Sequence, residues 1–253
     1  GPGGASILRN YPVAQAGPGE EADHPHHTGL WFAHGLVSGE DFWHGAKIQQ
    51  SARGWTSTSG GGTVTVEGSL DWLNGKGKKV IVEKRRLRFA SRSGVRTIDF
   101  TFELTPAGTD AVTFGDTKEG TFAIRMAPTL RLEGKVATGS AFNSDGVEGK
   151  AIWGKRARWV CYTGSVGDEE VSVAIFDHPS NLRHPTWWHA RAYGLCAANP
   201  FGIHDFERKP AGSGDFHLAS GDELRLDYRV VLVAGIADSR RIEKLWQEWA
   251  VEK

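Results

Sequence analysis

A helical period is nearly absent from this chain, and that absence bounds its fold more tightly than any other feature. Apolar residues recur at i, i+3, i+4 and i+7 in one convincing place, Ile242, Leu245, Trp246 and Trp249, behind Asp238 or Ser239 as a cap. That stripe predicts a C-terminal helix docked on the body of the fold. Elsewhere, short runs rich in Val, Ile, Thr, Phe and Trp are broken by Gly, Asn, Asp and Pro, which is the pattern of strands and turns. Residues 63–70 alternate, 71–79 form a polar turn containing glycine, and 80–89 return, so a long antiparallel hairpin is expected there. Further strands are expected at 96–105, 112–114, 121–131, 157–162, 171–177, 190–196, 216–218 and 224–233. With no helices between them, they predict an all-β fold, a large antiparallel β-sandwich carrying the C-terminal helix. The glycine-rich stretch 59–62 reads as a loop rather than a phosphate cradle, because no helix pattern follows it. Sandwiches commonly reach this length undivided, so residues 1–253 are expected to form one domain.

Charge removes two partner classes. Thirty Lys and Arg balance thirty Asp and Glu, which leaves no electrostatic footprint for a phosphate backbone and argues against nucleic acid. The longest apolar run, 230–237, is far shorter than the ~20 residues that span a bilayer, so no membrane role is expected. At 39% hydrophobic and 24% charged, the chain is too apolar to stay disordered. Two cysteines, Cys161 and Cys196, are too few for a disulfide framework or a cysteine zinc site. The first residue is Gly1, so the compartment stays open between cytoplasmic and exported with a signal removed.

Histidine carries the functional signal. Five histidines lie between residues 24 and 44 (His24, His26, His27, His34, His44), five between 178 and 217, and none from Gly45 to Asp177. Imidazole has two polar nitrogens that need partners when buried, so two such windows meeting in space would make an imidazole-rich pocket. In the first window Pro25 forces an extended or turn backbone, and an extended one would put Asp23 and His27 on one face and His24 and His26 on the other. The functional reading is metal ligation or acid–base work; the alternative is a polar loop. In the second window His189, Arg191 and Tyr193 alternate on one face of the expected strand, polar where a sandwich core would be apolar, so that face is expected to line a cleft or meet solvent. A third segment, 116–125, has no histidine but carries Lys118, Glu119 and Arg125, a carboxylate for proton transfer beside two cations for an oxyanion. A solvated hairpin end would use the same residues. Ten tryptophans are unusually many; Trp31, Trp43, Trp187 and Trp188 accompany the histidines, where an indole either stacks on a sugar face or packs in the core.

DHPHHTGLWFAHG with the following GEDFWH, then DTKEGTFAIR and WWHARAYGLCAANPFG, resemble the bacterial DUF6807 family, also catalogued as methane oxygenase PmoA, and the likeness runs along most of the chain. The resemblance implies a sandwich of the galactose-mutarotase-like supersandwich kind, a setting in carbohydrate metabolism, and extra strand sequence ahead of Gly1. It also implies a chemical type, an acid–base pair of His and Glu on a concave sheet face.

The expected function is therefore a carbohydrate-active enzyme or sugar-modifying protein acting on a small saccharide. His27 and His189 are its acid–base candidates, with Glu119 as carboxylate partner. Lys118, Arg125 and Arg191 would bind a carboxylate or steady developing negative charge. Trp31, Trp187 and Trp188 would stack on the ring, and His34 and Asn199 would complete the pocket. One alternative is a metal-dependent enzyme, with imidazoles drawn from His24, His26, His27, His34 and His189 around a divalent zinc, copper or iron. Another is a non-catalytic carbohydrate-binding module that uses the tryptophan face without the acid–base groups.

Overall fold

The computed structural model describes residues 1–252. Two antiparallel sheets face each other across an apolar core. The small sheet runs in the order β1 (Leu30–His34), β7 (Gly120–Arg125), β12 (Leu195–Asn199) and β11 (Trp187–Ala190). The large sheet runs β2 (Lys47–Gly60), β3 (Thr63–Leu73), β4 (Lys79–Arg92), β5 (Val95–Pro106), β14 (Leu224–Ala234), β10 (Glu169–Asp177), β9 (Trp159–Val166) and β8 (Ser140–Asn143). A two-stranded ribbon joins β6 (Val112–Phe114) to β13 (Phe216–Leu218). Short α1 (Ile203–Glu207) and the C-terminal α2 (Ser239–Ala250) complete the elements used below. No described helix is long and apolar enough to cross a membrane.

Period-two alternation decides which residues meet between the sheets. On β5, Phe100, Phe102 and Leu104 are buried inward, while Asp99, Thr101 and Glu103 stand on the outer side with Arg86, Arg88 and Lys84 of β4 and Asp227 of β14 as cross-strand neighbours. From the small sheet, Phe32 stacks on Phe102 with ring centroids 3.9 Å apart, and Phe122 stacks on Tyr228 at 4.9 Å. β10 alternates less, because both its faces are covered. Val171, Val173 and Ile175 belong to the inter-sheet core, while Ala174 and Phe176 join Trp159, Cys161, Val231 and Val233 beneath α2. The helix starts where expected: the Asp238 side chain accepts from the Arg241 N–H at 2.8 Å, and Ile242 and Trp249 are buried against the sheet. The expected 63–70/80–89 hairpin is present and longer, from Thr63↔Ala90 to Leu73↔Lys79.

Four expectations need correction. The expected strand 190–196 is interrupted by the turn 191–194, with Ala190 ending β11 and Leu195 opening β12: the Gly194 N–H donates to the Arg191 carbonyl at 3.0 Å, and Gly194 takes φ +87. The expected strand 121–131 stops at Arg125, because Pro128 opens a 3-10 turn over Pro128–Leu130. Residues 24–27 do not alternate, since the His27 N–H donates to the His24 carbonyl at 3.0 Å and closes a turn that brings their rings together. Ser59 and Gly60 belong to β2, so the turn at that end is shorter than the expected loop. Strands β1, β2, β8, β11 and β12 lie where no full strand was expected.

Candidate functional site

The outer face of the small sheet gathers His24, His26, His27 and His44 of the first histidine window with His189 of the second. His178 and His184 instead pack against Trp249 and Trp246 of α2, His204 bonds the Lys209 carbonyl, and His217 lies on β13. Opposed residues in antiparallel pairs share a face. The register therefore sets Trp31, Ala123, Ala197 and His189 in one row across β1, β7, β12 and β11. At about 4.8 Å per strand the row is about 14 Å from end to end, the size of a small saccharide. Alanine floors it: Ala33, Ala123 and Ala197 are buried under Trp43, Trp31 and Tyr193. Above the floor, His27 stacks between His24 (4.9 Å) and Trp31 (5.0 Å), and His26 lies 4.4 Å from His27 and 4.3 Å from His44. Glu119, one residue before β7, is held beside Gly35 at the end of β1, where the Gly35 N–H donates to its carbonyl at 2.7 Å. Its charge acts on His26, His189 and Tyr193 together. Glu119 thus stands between His26 and His189, while His27 keeps to the Trp31 end of the row.

Hydrogen bonding fixes what each imidazole can do. Guanidinium only donates, so the 2.8 Å contact of Arg125 Nη1 makes His27 Nδ1 an acceptor and leaves the ring proton on Nε2. Burial, reinforced by the neighbouring cations and imidazoles, pulls His27 down to about 2, so it stays neutral. His27 is therefore a hydrogen-bond donor; the acid–base role expected of it does not suit this tautomer. His189 is the opposite case. Its Nδ1–H donates to the Lys118 carbonyl at 2.9 Å, which leaves the Nε2 lone pair free to accept a proton. Burial takes His189 to about 4 against the raising effect of Glu119. His26 is likewise lowered to about 4, first by burial and then by His44 and His24.

Arg125 crosses the cluster. It is 1% exposed, lies 4.4 Å over the Tyr193 ring, and gives Nη2 to Asp23 Oδ1 at 3.2 Å. Asp23 also accepts from Arg9 Nη1 at 2.8 Å and pairs with His24 at 2.8 Å. Burial opposes its ionisation, but the His24 hydrogen bond and the Arg125 and Arg9 charges outweigh that and hold the carboxyl below the usual range. Lys118 pairs with Glu119 at 3.3 Å, and Arg191 stands exposed in the turn, 5.9 Å from the Tyr193 ring.

Other expected site residues are held elsewhere. Trp188 faces the inter-sheet core, fully buried, with its indole N–H on the Ala157 carbonyl. Trp187 is buried too, donating to Glu207 at 3.0 Å with Arg156 4.5 Å over its ring, so neither tryptophan offers a free face. His34 points inward against Phe201 and gives Nε2–H to the Gly115 carbonyl at 2.7 Å. Asn199 spends its amide on the Thr117 carbonyl and the Phe201 N–H, which ties down the loop carrying Glu119. Among the described residues no three His, Cys, Asp or Glu are arranged to hold a metal. The His24, His26 and His27 group fits one poorly, because Arg125 occupies the His27 lone pair. Asp23, Trp43 and Tyr193 stood inside or beside the histidine motifs without a role, whereas Arg9 and Arg131 carried no sequence signal.

No curated protein matches the chain. A family model does, described as a family of unknown function, and it covers residues 1–247. A match of that extent makes the chain a member of the DUF6807 family.

Proposed function

We propose that the outer face of the small sheet acts on a small saccharide by proton transfer, in a bacterial carbohydrate-metabolising setting. The observation that carries this reading is that His27, stacked on Trp31, and His189 lie along one row of the small sheet with opposite tautomers, His27 fixed by Arg125 and His189 by the Lys118 carbonyl. His189 Nε2 is the base. It takes a proton from a sugar hydroxyl or an acidic C–H and returns it to the product, while the His27 Nε2–H, at the other end of the row, donates to a second oxygen of the same saccharide. A base near 4 is weak at rest, but negative charge developing beside it in a buried site raises its proton affinity. Glu119 supports that protonated form. Trp31, half-buried on the same row with His27 stacked on its ring, adds apolar surface at its exposed edge.

The test is turnover, followed by NMR on a panel of mono- and disaccharides, for wild type and His189→Ala. Loss of a general base costs about 10²–10⁴-fold, so the variant should lose activity by at least about 100-fold while its circular dichroism is unchanged. An undiminished rate would remove His189 from the chemistry. Binding without turnover, indifferent to Glu119→Gln, would make the face a carbohydrate-binding surface instead.

A further inference from the structure

The turn joining β11 to β12 is surrounded by more positive charge than the protein neutralises. Arg125 packs over Tyr193 at 4.4 Å and Arg191 lies 5.9 Å from the same ring. Arg131 enters from the other side: a Cβ added to Gly194 would stand 3.2 Å from Arg131 Cγ. Arg9 lies beneath, its N–H on the Arg125 carbonyl at 3.3 Å. Against these four guanidiniums the described residues set one ion-paired carboxylate, Asp23, and it serves Arg9 and Arg125.

Arg131 is the telling member. It is 4% exposed, its Nε and Nη2 are sealed from water, and neither has a hydrogen-bond partner among the described residues. Arg125 Nε is buried and unpartnered too. A buried guanidinium without a counter-charge costs several kcal/mol in general, and unsatisfied buried donors are rare enough in folded proteins to need an explanation. Burial first, then the charge of Arg9 and to a lesser degree that of Arg131, lowers Arg125 to about 10 against the raising effect of Asp23 and Tyr193. An oxyanion received here would meet the Nε and Nη2 of Arg131 as a fork and the Nε of Arg125, whose other two nitrogens are held by His27 and Asp23.

We infer that Arg131 and Arg125 form an anion subsite and that the saccharide bound on the small sheet is an acidic one, carrying a carboxylate, sulfate or phosphate group. The inference rests on the saccharide reading for the identity of the molecule and on the arginines for its charge. Arg131 is then a binding residue whose cationic head is kept ready at the expense of stability.

Isothermal titration with glucose, glucuronate, glucose 6-phosphate, glucose 6-sulfate and inorganic phosphate tests it, on wild type, Arg131→Met and Arg131→Lys at constant ionic strength. The expected result is at least tenfold tighter binding of an acidic sugar than of glucose in wild type. That preference should vanish in Arg131→Met and partly return in Arg131→Lys. The acidic probe that binds best names the group. In ligand-free buffer Arg131→Met should melt no lower than wild type, because it removes an unpaired buried charge; an arginine with a purely structural role would instead leave the variant less stable. Equal binding of glucose and the acidic sugars, an acidic preference that survives Arg131→Met, or no binding of any probe overturns the subsite. Binding of inorganic phosphate that depends on Arg131, with no sugar bound, upholds the anion subsite and removes the saccharide reading.

Discussion

Asp23→Asn is the sharpest probe of how the cluster is held. Asp23 Oδ1 accepts from Arg9 at 2.8 Å and Arg125 at 3.2 Å, and the two arginine side chains are 0% and 1% exposed. Removing one partner of a buried ion pair costs about 3–5 kcal/mol, because the remaining charge is left uncompensated. Asp23 itself is 32% exposed, so solvent screens part of that, and about 2–3 kcal/mol is expected at pH 7. For a chain of this size that is about 4–12 °C in melting temperature. The carboxyl is held below its ordinary range in the folded state. Its stabilisation is therefore fully present above the unfolded value near 4 and is lost as pH falls through the lower folded value. Urea unfolding of both proteins at pH 7, 5 and 3 should give a constant penalty at the two higher pH values and a smaller one at pH 3. A penalty below about 0.5 kcal/mol, or one unchanged at pH 3, would refute Asp23 as the counter-charge of the two arginines.

Three further outcomes follow from the same geometry. Because His189 is lowered to about 4 and must be unprotonated to act as a base, kcat/KM should fall on the acid side only near pH 4; a limb at the usual histidine value near 6.5 would place the base elsewhere. Cys161 and Cys196 are buried free thiols pushed up by desolvation, so a thiol reagent should leave the native protein unmodified and count two groups in denaturant; prompt native labelling would contradict that burial. Trp249→Ala removes an indole wedged between α2 and the large sheet, and chemical denaturation should register a loss of about 3–5 kcal/mol; a loss under about 1 kcal/mol would mean that the helix end is loosely docked.

Much of the sandwich was legible because its strands alternate and its terminal helix has both a cap and a period. β1 was not, since Leu30–His34 is short and apolar on both sides, which periodicity cannot resolve. β2 is largely polar and is a strand by virtue of its pairing to β3. The run through Ala190–Cys196 kept alternating across a turn, and Gly194 was the overlooked signal, its φ of +87 being open mainly to glycine. The site was legible as residue types. Of the second histidine window only His189 shares a face with the first, and it is the register across β1, β7, β12 and β11 that sets it in the row with Trp31. The tautomers of His27 and His189 depend on Arg125 and the Lys118 carbonyl, neither adjacent in sequence to the ring it fixes. Trp187, Trp188, His34 and Asn199 show the converse: their motifs stood out, yet each side chain is spent on packing or on holding a loop.

Titration with neutral and acidic saccharides, with the histidine imidazoles resolved by NMR, decides whether the outer face of the small sheet is the working surface. A second open surface exists: a trough of about 570 Å³ on the large sheet, lined among others by His178, Arg225, Asp227 and Trp249. A saccharide bound on the small sheet should move the ring resonances of His26, His27 and His189 and leave His178 and His217 still. Shifts at His178 with none at His189, or no shift from any saccharide, would contradict a working surface there.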